Sequence, residues 1–183
     1  AKVFFLPDHE LPLIDMTIHL RSGAVDLPDS KAGLTDLLDG TVIRGGTERY
    51  TPVELAGLLD DNAIRMGVDI GLEETAVKLS VMSSDWEKGL DILQEVLTRP
   101  RFDAKVLGVA KEQEMANLRR QGEDAQAVAM REALIQHFKG HPYGRDPLAA
   151  LNTIPVITRE DMIRFMSTYF VSANMVVAIS GDI

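Results

Sequence analysis

Hydrophobic and polar positions change period along this chain, and each change marks an element. Ile14, Met16, Ile18 and Leu20 alternate with Asp15, Thr17, His19 and Arg21, the period-two pattern of a strand with one buried face. A strand also opens the chain at Ala1-Lys2-Val3-Phe4-Phe5-Leu6, and two more are expected at Met66–Ile70 and Thr75–Met82. Met175–Ile179 reads as a last apolar strand ending at Gly181. Helical signals lie between them. Thr51-Pro52-Val53-Glu54 joins a capping threonine, a proline in the first turn and a reciprocal glutamate, predicting a helix to about Asn62. Ser84-Asp85-Trp86-Glu87 repeats the capping pattern and opens a helix with Trp86, Leu90, Leu93 and Leu97 on one face, ended by Pro100. Long helices follow over Asp103–Gln121 and Ala125–Phe138, then a turn at Gly140-His141-Pro142-Tyr143-Gly144. Thr158 to Asp161 caps a final helix reaching about Phe170.

Hairpin strands interspersed with helices predict an α+β fold: a mainly antiparallel mixed sheet with helices packed on one face. Neither a repeat nor a low-complexity linker divides the chain, so residues 1–183 read as one domain. Its length suits a single stable core. Nineteen basic against 28 acidic residues give a formal charge of −9, which argues against nucleic acid as a partner. The chain has no cysteine, excluding disulfides, thiolate nucleophiles and cysteine metal sites. No apolar run approaches the ~20 residues of a membrane span. Because the chain opens inside a strand, its lack of a signal peptide leaves the compartment open, bacterial periplasm and cytoplasm both fitting.

The candidate chemistry centres on Gly33-Leu34-Thr35-Asp36-Leu37-Leu38-Asp39-Gly40. Four other stretches belong with it: Leu6-Pro7-Asp8-His9 through Gly33, Arg44-Gly45-Gly46-Thr47, Gly140-His141-Pro142-Tyr143-Gly144-Arg145, and Thr158-Arg159-Glu160-Asp161 through Gly181-Asp182. Together with the order of elements, they resemble the M16 metallopeptidase family of pitrilysin, insulin-degrading enzyme, mitochondrial processing peptidase and the bc1 core subunits. The resemblance covers essentially the whole chain. It implies the M16/LuxS-like fold and one N-terminal domain, truncated at both ends relative to the family, with a second homologous domain expected beyond Ile183.

That family carries His-x-x-Glu-His on its active helix and a glutamate ligand on a later one. Two imidazoles and a carboxylate hold zinc with one position open for water, and the motif glutamate takes the proton of the metal-activated water. By resemblance the first histidine falls on Asp36, the general base on Asp39 and the second histidine on Gly40. The glutamate ligand falls on Asn117, with 76 residues between it and Gly40. The spacing survives and the ligands do not. No zinc is expected here, although active relatives use it, and no catalytic residue is assigned.

Other readings of these residues are weaker. Asp36 and Asp39 could touch a hard cation, but calcium takes six or more oxygens. Gly40-Thr41-Val42-Ile43-Arg44-Gly45-Gly46-Thr47 imitates a phosphate loop without its lysine and after a helical segment rather than a strand. His137 and His141 are four apart, but Gly140 and Pro142 interrupt the helix that would align them. His9 and His19 read as isolated strand or surface histidines.

In the resembled family, peptides add as a strand to an exposed sheet edge, held by main-chain hydrogen bonds. The stretch matching that edge is Met66-Gly67-Val68-Asp69-Ile70. The resemblance therefore implies a noncatalytic domain that binds peptide, or pairs as a heterodimer with a homologous subunit that keeps the zinc motif. The second domain of the same chain could take that partner's place. An active metalloendopeptidase with an unfamiliar metal set and a purely structural assembly subunit stay open beside it.

Overall fold

The computed structural model describes residues 1–183. Its strands are β1 (Lys2–Pro7), β2 (Leu13–Leu20), β3 (Arg65–Ile70), β4 (Thr75–Met82) and β5 (Met175–Gly181), joined in one sheet in the order β1-β5-β2-β4-β3. β1 runs parallel to β5, and every other pairing is antiparallel. The helices are α1 (Leu34–Thr41), α2 (Pro52–Asp61), α3 (Trp86–Thr98), α4 (Ala104–Glu123), α5 (Ala125–His137), α6 (Ala150–Thr153) and α7 (Arg159–Tyr169). This is the two-layer α+β architecture expected from the periodicity. None of the helices is long and apolar enough to cross a membrane.

One face of the sheet carries the core. Ile14, Met16, Ile18 and Leu20 of β2 lie beside Val77, Leu79 and Val81 of β4, and all are buried. Leu34, Leu37 and Leu38 of α1, Ile92 and Val96 of α3, and Met162 and Phe165 of α7 complete that cluster. Each such side chain contributes ~1.5–3 kcal/mol by leaving water. The opposite face is polar: Asp15, Thr17, His19, Lys78 and Ser80 occupy the alternate positions, none of them buried.

Two glycines are demanded by the backbone. Gly33 enters α1 at φ 83°, and a Cβ there would lie 2.7 Å from Ile154. Gly181 ends β5 at φ 123°, where a Cβ would lie 2.0 Å from the Leu13 carbonyl oxygen. Both conformations belong to the region L-residues avoid. The α2 capping box forms, with Thr51 N–H donating to the Glu54 carboxylate at 2.8 Å. The equivalent box at Thr158–Asp161 is reinforced by Lys31, whose ammonium lies 2.6 Å from Asp161. Burial pushes the Asp161 carboxyl up, but Lys31 and the Thr158 amide and hydroxyl outweigh it and leave its pKa lowered.

The α3 start differs from expectation. Ser84 does not cap it: its hydroxyl donates to Asp85, a 3-10 turn covers Ser83–Asp85, and no side chain caps the helix. The buried face is also rotated, being formed by Gly89, Ile92, Leu93 and Val96, with Trp86, Leu90 and Leu97 packed at its borders. This stripe packs on β4, with Gly89 over Val81 and Leu79.

Candidate functional site

α1 is amphipathic in a way that separates packing from chemistry. Leu34, Leu37, Leu38 and Thr41 point into the core, and Asp36 and Asp39 point outward. The helix packs against both α4 and β3, so the three elements expected to carry the site are neighbours.

The residues that the resemblance aligns with zinc ligands are chemically unsuited to zinc. Gly40 has no donor atom, and the space where its Cβ would stand is empty to 4 Å. Asn117, on α4, is engaged at both ends of its amide: its NH2 donates to Glu114 at 3.3 Å, and its oxygen accepts from the Arg120 guanidinium. A cation beside the third-ligand position opposes a metal ion there. No three His, Asp or Glu side chains anywhere in the chain gather closely enough to hold a metal. The residues present do not fit the group that active relatives carry.

Both aspartates have raised pKa values. For Asp36, burial is the largest cause, and the Glu114 charge adds to it; its own backbone amide pulls the value down, and Asp39 pushes it up slightly. For Asp39, burial again leads, the Ile70 amide lowers the value, Asp69 raises it and Arg44 lowers it. Glu114 and Arg120 escaped the sequence reading. Their signal was present: both stand three residues from Asn117, the spacing that places side chains on one helix face.

The edge strand is the second component. β3 pairs only with β4 and ends the sheet. Gly71 N–H donates to the Glu74 carbonyl at 2.8 Å to close the hairpin. Hydrogen-bonded and non-hydrogen-bonded pairs alternate from there, so the amides and carbonyls of Gly67 and Asp69 face β4. Those of Met66, Val68 and Ile70 face outward. Asp39 lies beside the outward Ile70 amide. At the other end Ile64 N–H donates to the Leu59 carbonyl at 2.9 Å.

The four histidines stand apart from this site. His9 hydrogen-bonds Asp182 at 2.7 Å, and His19 lies 4.0 Å from Glu74. His141 accepts the Tyr143 N–H at 3.2 Å and so caps a short turn, while His137 is edge-on to Phe138. Gly40 to Thr47 leaves the end of α1 rather than following a strand, so it lacks the strand-to-helix setting of a phosphate loop.

A two-layer fold in which α1 lies beside a free sheet edge narrows the class, and comparison with known proteins identifies the family. The sequence profile of insulinase (peptidase family M16) matches residues 12–149; the chain belongs to this family. A Helicobacter pylori protein described as the non-peptidase homolog YmxG is 25% identical over 183 residues, 100% of this chain and 42% of its own length. The probable mitochondrial-processing peptidase subunit beta of Arabidopsis thaliana is 22% identical over 155 residues, 85% of this chain and 29% of that protein. Among solved structures, a peptidase M16 inactive domain from Pseudomonas fluorescens shares the fold at TM-score 0.90, with 24% identity, over 100% of this chain and 44% of that one. The chain thus spans less than half the length of these relatives.

Proposed function

We propose that this chain is a noncatalytic M16 domain that holds extended peptide on the β3 edge. In this reading it works beside a homologous unit that keeps the zinc motif, either a partner subunit or a second domain. The outward amides and carbonyls of Met66 and Val68, next to a helix stripped of metal ligands, are the observation that carries it. A free strand edge is a template for an added strand. Two relatives, a non-peptidase homolog from Helicobacter pylori and an inactive domain from Pseudomonas fluorescens, support the loss of catalysis. The other sheet edge supports pairing with a further unit: β1 leaves Val3, Phe4, Phe5 and Leu6 exposed, Leu6 by 69%.

Two measurements test this. Elemental analysis of the purified chain is expected to find no stoichiometric zinc, and unstructured peptides are expected to survive incubation with it. One tightly held zinc per chain with chelator-sensitive hydrolysis would overturn the noncatalytic reading. Val68→Pro removes an outward N–H that β4 does not use, a substitution edge strands accept. Peptide binding is expected to weaken while cooperative unfolding persists; unchanged binding would remove the edge as the binding element.

A further inference from the structure

Gly67 has no structural reason to be glycine. Its φ is not positive, its pairing with Lys78 continues an unbroken register without a bulge, and a Cβ there would meet nothing within 4 Å. Glycine inside a strand weakens it, so this position forgoes stability without any return from the chain itself. What it leaves is space. A depression of about 480 Å³ lies on the polar face over Gly67, walled by Asp15, Thr17, Arg65, Lys78 and Ser80.

The register says which part of a bound strand would meet that space, given the peptide-edge reading above. Gly67 turns its own amide and carbonyl to β4, so an added strand faces it in a non-hydrogen-bonded pair between the rungs at Met66 and Val68. Side chains in such pairs are at their closest and share a face. The ladder is also bounded, by Leu59 at Ile64 and by Asp39 at Ile70, so Gly67 is the centre of the free window. One peptide side chain, and only one, lies between two complete rungs and over the missing Cβ.

The walls define its chemistry. Lys78 is held by Asp69 at 2.6 Å, whereas Arg65 forms no ion pair within the chain. A flat ring covers the glycine backbone, as aromatic residues do across from strand glycines, and turns its electron-rich face to the free guanidinium. A carboxylate would meet Asp15 and Asp69 as well as Arg65, on a chain of charge −9. We propose that the β3 edge selects extended peptides whose residue opposite Gly67 is aromatic, the ring filling the depression over that glycine.

The test uses fluorescein-labelled, end-blocked peptides Thr-Val-Xaa-Val-Thr with Xaa as Phe, Tyr, Ala or Asp, titrated against the chain by anisotropy. Amide exchange at Met66 and Val68 is followed in parallel. Phe and Tyr peptides are expected to bind about fivefold tighter than the Ala peptide, with slowed exchange at both amides. Gly67→Leu, whose side chain enters open space, is expected to fold like the parent and abolish that preference. Equal binding of Phe and Ala peptides with protected amides would overturn aromatic selection and leave the edge reading intact. Preference for Asp would overturn it in favour of ion pairing with Arg65. No binding by any peptide and no protection would overturn the edge reading itself, and this inference with it.

Discussion

The two faces of α1 have had different fates. Inward, Leu37 and Leu38 are 1% and 0% exposed, and Val42 just beyond is fully buried. Outward lie Asp36, Asp39 and Gly40, the positions that the family resemblance aligns with two histidines and a general base. Asp36 and Asp39 lie outside the apolar core cluster, so exchanging them is expected to cost the fold little. A helix that fixes the fold with one stripe leaves the residues of the other free to change.

The largest effect expected separates these faces by stability. Leu38→Ala leaves a cavity under the sheet and is expected to cost about 2–5 kcal/mol in denaturant unfolding. Asp36→His, on the outward face, is expected to stay within about 0.5 kcal/mol of the parent. Comparable losses for the two would erase the distinction.

The outward face can also be rebuilt. Asp36→His, Asp39→Glu, Gly40→His and Asn117→Glu together are expected to restore zinc binding in calorimetry, while any one alone does not. The open space at Gly40 admits the imidazole. Arg120 stands at the Asn117 oxygen, so adding Arg120→Ala is expected to raise the affinity further. Turnover is expected to lag binding, because groups that orient ligands matter 10–100-fold. A folded quadruple variant without zinc heat would show that these positions do not converge.

The smallest effect is electrostatic. The pKa of Asp36 is raised in the folded chain above its ordinary 3.8, so the folded state disfavours its charged form. That cost is fully present above the raised folded value and vanishes as pH falls through it to below 3.8. Asp36→Asn is therefore expected to raise the thermal midpoint at neutral pH and to leave it unchanged in acid. Asp161 has the opposite sign: its pKa is lowered, and its contribution is present above 3.8 and lost as pH falls through the folded value. A gain from Asp36→Asn that persists in acid would mean that burial and Glu114 are not its source.

Much of the fold was legible because its signals are local. Alternation along Ile14–Leu20 and the capping box at Thr51–Glu54 need only the chain's own order, since helix and strand periods are properties of the backbone, whereas Asp36, Asp39, Gly40 and Asn117 were singled out by resemblance to a family. Periodicity says which face of an element is buried, not what covers it. The rotated stripe of α3 and the exposed strand β1 beside β5 both depended on neighbours distant in sequence. The same holds at β3. Its residues read as a strand and resembled a peptide edge, but only its pairing with β4 decided that Met66 and Val68 point their amides outward. A strand's hydrogen bonds leave on both sides, and the partner on one side determines which groups remain for the other.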